Sequence, residues 1–227
     1  MKKHADEPLS GAVPAGPFRR PLALPRAGAR RRIEVFSPKL GRRMSLGSYS
    51  AYRTWLVIEA NPAIETFIER PAPVRERGGA LFDFWVRLPE SKEGEFWLIE
   101  RDRSARTKVS QQGEGGEDDT PPSAAHGLPV RQVRHADLLA WAVPISNWAR
   151  IVPDLVTHRR HRDALLEQKI AVYLGNERTL DEVLGEFRDC DSTSTQAALF
   201  FLVAGGRAVS NDLAVTPLGG RTRFRRL

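Results

Sequence analysis

The sequence predicts a mixed α/β chain in which a β-hairpin and its flanking helices lead into a small C-terminal unit of helices and paired strands. Three observations predict it. A helical apolar stripe runs from Ser48 to Ala60; two strand-like runs, Ala80 to Leu88 and Glu95 to Asp102, flank the turn-forming Pro89-Glu-Ser-Lys-Glu-Gly94; and short capped helical segments ahead of glycine pairs close the chain. With 227 residues and a hydrophobic share of 41%, the chain can build one sizeable core or two small ones.

Residues 1–31 are rich in Pro, Ala, Gly and Arg without periodicity and read as a basic flexible arm. Lysine and arginine outnumber the acids 35 to 28, and the excess gathers in Arg19, Arg20, Arg26, Arg30, Arg31, Arg32, Lys39, Arg42 and Arg43, which meet only Glu34. Dense cations release counterions from a phosphate backbone, which gives sequence-independent affinity for nucleic acid. The bland alternative is a solubility tail, but the run leads directly into folded sequence. Arg19, Arg20, Arg30, Arg31, Arg32, Lys39, Arg42 and Arg43 are therefore the expected DNA-binding residues.

Cys190 is the only cysteine, which excludes an intramolecular disulfide and a zinc knuckle. The opening MKKHADEPLSG lacks the apolar run of a signal peptide, and no stretch reaches the length of a membrane span, so a cytoplasmic location without membrane contact is expected.

Along the chain, Tyr52, Trp55, Leu56 and Ile58 recur at helical spacing until Asn61-Pro62 stops the helix. A short segment from Ile64 to Ile68 follows, and Pro71-Ala-Pro73 and Gly78-Gly79 break the chain ahead of the hairpin. Residues 108–128 are poor in apolar side chains and rich in turn formers, which reads as a mobile loop. Val130 to Val133 reads as a strand. Helical stretches follow at Ala136 to Leu155, interrupted at Pro144, and at His161 to Leu174. Thr179-Leu-Asp-Glu182 is a capping box that opens a helix to about Phe187, and Ser192 to Val203 is an apolar helix ended by Gly205-Gly206. Ala208 to Phe224 reads as a β-wing, so the order helix, helix, helix, wing predicts a winged-helix-like unit over 158–227.

Alternation places Leu81, Asp83 and Trp85 on one face of the first strand and Phe82, Phe84 and Val86 on the other. In the second strand Phe96, Leu98, Glu100 and Asp102 share a face. If the two faces coincide, Asp83 and Glu100 converge, and paired carboxylates suit a hard divalent cation that activates water against a phosphodiester. His158 and His161 have ligand-like spacing but lie in the basic run HRRHR and lack a third ligand.

These features in this order, Glu59-Ala-Asn-Pro62, Ile64-Glu-Thr-Phe-Ile-Glu-Arg-Pro71, Phe82-Asp-Phe-Trp-Val86 and Trp97-Leu-Ile-Glu-Arg-Asp102, resemble the TnsA transposase endonucleases. In that family a helix supplies a glutamate, the first strand an aspartate after a proline, and the second strand a glutamate or glutamine followed two residues later by a lysine. The resemblance implies a restriction-endonuclease-like mixed sheet with flanking helices over 32–157 and a winged-helix-like domain after it. It implies catalytic and metal-binding roles for Asp83 and Glu100, with Mg if the site is active. It also implies double-stranded transposon-end DNA, a transposase catalytic subunit and an ATPase regulator as partners.

The chain departs from the family at two chemical positions. The helix glutamate falls on Ala51, whose methyl group ligates nothing, and the lysine falls on Asp102, which reverses the charge beside the attacked phosphate. A DNA-transposition subunit with nuclease activity impaired or lost is therefore expected, with Asp83 and Glu100 as remnants. Two alternatives remain open. One is an active metal-dependent endonuclease with a rearranged site, using Lys108 or Arg101 for the lysine and Glu34 or Glu59 for the helix glutamate. The other is a winged-helix DNA-binding regulator, although its apolar helix Gln196 to Val203 suits core packing or a protein partner better than a DNA groove, leaving Arg207, Arg221, Arg223, Arg225 and Arg226 for phosphate.

Overall fold

The computed structural model describes residues 18, 20–24, 32–74, 80–89, 93–100 and 122–227. Arg19, Arg26, Arg30, Arg31, Arg101, Asp102, Lys108 and most of the expected 108–128 loop lie outside the described residues.

The first described element is a hairpin, β1 (Ile33–Ser37) paired antiparallel with β2 (Arg42–Leu46). Gly41, at φ +65, closes its turn by donating to Ser37 O at 2.9 Å. Helix α1 (Tyr49–Ala60) follows at once, because Ser48 Oγ accepts the Ala51 amide at 3.0 Å and caps the first turn.

The central sheet is mixed. Strands β3 (Thr66–Glu69), β4 (Phe84–Arg87), β5 (Glu95–Ile99), β6 (Ala124–Ala125) and β7 (Leu128–Val133) stand in the order β3-β4-β5-β7-β6. The first three form an antiparallel meander, and β7 runs parallel to β5. The expected hairpin is therefore present as β4 and β5. Gly94, at φ +80, is required where the chain enters β5, since a Cβ there would sit 2.5 Å from Val86 O.

Two corrections concern this sheet. Phe82 does not share a face with Phe84 and Val86; it packs with Trp85 and Phe96, because the chain bends at Asp83 and the alternation restarts there. The stretch read as loop up to residue 128 already carries β6 and the start of β7, joined by a two-residue turn. His126 (φ 51) and Gly127 (φ 76) are both left-handed there, as a tight hairpin requires.

After the sheet come α2 (His135–Ala140) and α3 (Ala142–His158). The break falls at Trp141 rather than at Pro144, which sits in the first turn of α3, where a proline's missing N–H costs no helical hydrogen bond. Next are α4 (Ala164–Tyr173), β8 (Arg178–Thr179), α5 (Leu180–Glu186), α6 (Ser192–Ala204), β9 (Ala208–Val209), α7 (Asp212–Val215) and β10 (Arg223–Arg226). The three short strands form a sheet in the order β8-β10-β9. The Thr179 capping box forms as expected, whereas the expected wing carries the short helix α7.

The larger core cluster joins Trp55, Leu56 and Ile58 of α1 to Phe84, Val86, Trp97 and Ile99 on one face of the sheet, then to Trp148, Ile151 and Leu155 of α3 and Leu199 and Phe200 of α6. Hydrophobic packing is thus continuous across residue 157. A smaller cluster, with Ile68, Phe82, Trp85 and Phe96, lies on the opposite face. Asn147 ties α3 to the segment around α7. Its amide donates to Leu213 O at 2.9 Å and Thr216 O at 2.8 Å, and its carbonyl accepts the Leu218 amide at 2.7 Å. Among the described residues no helix is long and apolar enough to cross a membrane.

Candidate functional site

The ends of β3, β5 and β7 and the start of β4 meet at one end of the central sheet. This follows from the register: Glu69 pairs with Phe84, Phe84 with Trp97, and Ile99 with Val133. The residues just beyond these pairs are Arg70, Asp83, Glu100 and Arg134, so two acids and two arginines gather on four neighbouring strand ends.

Asp83 Oδ2 accepts the Ile99 amide at 2.8 Å, while the Asp83 carbonyl accepts the Arg70 amide at 2.9 Å. The carboxylate thus stands in for a carbonyl of the β4 side that would pair with this β5 amide. Glu100 continues the face of Phe96 and Leu98; its amide donates to Val133 O at 2.9 Å, and its Oε2 accepts the His135 amide at 3.1 Å. The carboxylate therefore lies at the N-terminus of α2, where an anion complements unpaired amides. Asp137 completes the cap. It accepts the Arg134 amide at 2.9 Å, and hydrogen bonds from the Arg134 side chain and backbone hold its carboxyl below the usual range.

Around these acids the charges interlock. Glu69 is buried at 2% exposure and takes both Arg42 nitrogens, one at 3.0 Å. Arg70 sits at φ 48, which is rare for a side chain other than glycine, and its guanidinium donates to Leu22 O at 2.7 Å and to Ser45 O. The Leu22 amide returns a bond to Arg70 O at 2.9 Å, so residues 20–24 are pinned across this end of the sheet.

Sequence reasoning brought Asp83 and Glu100 together, and both do stand at this sheet end. Ala51 does not join them. Its methyl is 6% exposed inside the larger core, on the face of Phe84 and Trp97. Neither substitute carboxylate is available in place of Ala51. Glu59 is buried and accepts from Ser37 Oγ, from Trp55 Nε1 at 2.9 Å and from the Lys39 amide at 3.2 Å, and burial pushes its carboxyl above the usual range. Glu34, on β1, is held by Ser45 Oγ at 2.7 Å and by Arg32.

A divalent cation is tested by what the acids already do. Asp83 and Glu100 each serve a backbone amide, and among the described residues no group of three or more His, Cys, Asp or Glu side chains is placed to hold a metal ion.

The basic run divides. Lys39 and Arg42 face inward: Lys39 Nζ donates to Asn61 O at 3.0 Å and Ile64 O at 2.8 Å, and Arg42 is committed to Glu69. Arg20, Arg32 and Arg43 are exposed, although Arg32 pairs with Glu34. Arg19, Arg30 and Arg31 lie outside the described residues. In the C-terminal unit α6 is packed against α3 and α4 with Ala197, Ala198, Leu199, Phe200, Leu202 and Val203 buried, so it presents no groove-reading face. Arg223 is held by Asp212 at 3.0 Å and Arg207 by the buried Glu167, while Arg221, Arg225 and Arg226 are exposed. His158 Nδ1 donates to Asp154 O, 3.0 Å away.

Glu69, Arg70, Arg134 and His135 were not singled out from sequence. The only local signal is the run Arg131-Gln-Val-Arg134-His135, a strand end with a cation before a capped helix. No protein-family model matches the chain, and no curated protein matches it.

Proposed function

We propose that the protein is a DNA-transposition subunit resembling TnsA. In this reading it works in the cytoplasm, binding double-stranded transposon-end DNA together with a transposase catalytic subunit and an ATPase regulator, with its nuclease activity impaired or lost. One observation supports the reading: Asp83 and Glu100 stand at one end of a mixed sheet, while Ala51, which holds the family's helix-glutamate position, is a methyl buried in the core away from them.

Two further features support it. The mixed sheet with flanking helices supports a restriction-endonuclease-like reading of residues 32–157. The order α4, β8, α5, α6, β9, α7, β10, with β10 between the other two strands, supports a winged-helix-like unit whose wing is interrupted by α7. Because α6 is buried, phosphate contact in that unit falls to Arg221, Arg225 and Arg226. Duplex DNA binding measured against salt, with Arg43→Ala and Arg225→Ala, tests the reading. Each lost phosphate contact lowers the salt slope by about one unit. A protein with no salt-dependent affinity for duplex DNA would not be such a subunit.

A further inference from the structure

Helix α1 carries an aromatic stack that begins in the core and ends on an exposed ring in its first turn. Tyr49 is 63% exposed, and its ring stacks on Tyr52 with centroids 5.8 Å apart and planes 25° apart. Tyr52 in turn leans on Trp55, 5.6 Å away, and Trp55 is 2% exposed and donates to the buried Glu59 at 2.9 Å. The stack is therefore rooted in the core and rigid at its base, while its outermost ring lies open to solvent.

Arg53, next on the helix, donates to Leu138 O and forms no ion pair among the described residues. Helix α1 also has no acidic residue in its first turn, so the positive end of its dipole is uncompensated by its own sequence. The stack adjoins the end of the sheet described above, because Ser45, three residues before its cap Ser48, accepts from Arg70, and because Arg53 binds α2, which Arg134 precedes.

We infer that Tyr49, backed by Tyr52 and flanked by Arg53, is a stacking platform for a base of single-stranded DNA beside the carboxylate end of the sheet. The inference rests on the DNA-binding reading and names the form of DNA. In a duplex each base face is already covered by its neighbours, whereas an unpaired strand offers a free π-face to an exposed ring and its phosphates to nearby guanidiniums. A partner protein that merely needed an apolar anchor would not call for the Arg53 guanidinium one turn along the helix from Tyr49. An exposed ring beside a cation complements an anionic, aromatic ligand.

The test compares labelled oligothymidylate with a duplex of equal length by fluorescence anisotropy, using the full chain and its Tyr49→Ala and Tyr49→Phe variants. Tyr49 is exposed, so neither change removes core packing. Tyr49→Ala is expected to weaken single-strand binding by roughly 5- to 50-fold and duplex binding by less than about twofold, and Tyr49→Phe, which keeps the ring, to retain single-strand affinity. Duplex binding with unchanged single-strand affinity in Tyr49→Ala overturns this inference and leaves the DNA reading standing. Equal weakening of both forms also overturns it. If the wild-type chain binds neither form, both fall.

Discussion

Asp83 Oδ2 accepts the amide of Ile99 at 2.8 Å, a side chain filling the place of a backbone acceptor at the end of β5. The bond explains why a carboxylate can sit between the fully buried Phe82 and Phe84. It also separates a structural role for Asp83 from a chemical one. Asp83→Ala leaves a ladder amide without its partner and is expected to cost about 1–3 kcal/mol by chemical denaturation. Asp83→Asn keeps an acceptor oxygen and should recover most of that loss; equal destabilisation by both changes would show that charge, not the hydrogen bond, holds the bend.

Arg42 and Arg43 are neighbours with different duties. Arg42→Ala leaves the buried Glu69 only the longer pair with Arg70 at 3.9 Å and is expected to destabilise the fold by up to about 3 kcal/mol, with Glu69→Gln relieving much of it. Arg43→Ala should leave stability unchanged and lower the salt slope of DNA binding. The reverse pattern would place the phosphate contact on the wrong side of the hairpin.

The β1–β2 hairpin also marks where sequence reasoning stops. Ser48 as a cap, Asn61-Pro62 as a stop, the β4–β5 pairing and the Thr179 capping box were legible because each rests on residues a few positions apart. Ile33, Val35 and Met44 alternate as a strand pair should, but the cations among them dominate the composition and read as a basic DNA-binding run. The partner that neutralises Arg42 is Glu69, 27 residues away, and nothing local in the sequence announces such a pair. Asp83 and Glu100 were legible as neighbours from hairpin register. Their engagement with the Ile99 and His135 amides was not, since it depends on the bend at Asp83 and on where α2 begins.

Asn147 is expected to be among the most sensitive polar positions. Asn147→Ala leaves two carbonyls and one amide of the α7 segment without partners in a site that excludes water, at a cost of about 3 kcal/mol or more. Hydrogen exchange read at Leu218 checks it: protection lost there while α1 stays protected is the expected pattern, and unchanged protection would contradict it.

Stability against pH should carry two opposite contributions. Burial raises the Glu59 carboxyl above its ordinary 4.5, so the folded state holds that proton more tightly. Its contribution favours folding below 4.5 and is lost as pH rises through the folded value. Asp191, the cap of α6, is lowered to about 2 by the Thr193 hydroxyl and the Ser194 amide, so its contribution is full above 3.8 and lost as pH falls toward 2. In denaturation series, Glu59→Gln should flatten the first slope and Asp191→Asn the second. A curve that keeps both slopes in these variants would contradict the assignment.

Grafting the missing family residues back is expected to fail on structural grounds. Ala51→Glu places a carboxylate in the core at a position 6% exposed, so the variant should unfold at lower denaturant whether or not Asp102→Lys accompanies it. A stable Ala51→Glu protein would show that this turn of α1 can open toward the acids.

The most direct test of the central claim is electrophoresis of supercoiled plasmid incubated with the full chain and magnesium or manganese. The predicted result is a retarded complex at low salt that dissociates as salt rises and returns the plasmid supercoiled. Nicked plasmid formed by the wild-type chain and absent with Asp83→Ala or Glu100→Ala would contradict the lost-nuclease reading, and plasmid never retarded at low salt would contradict DNA binding itself.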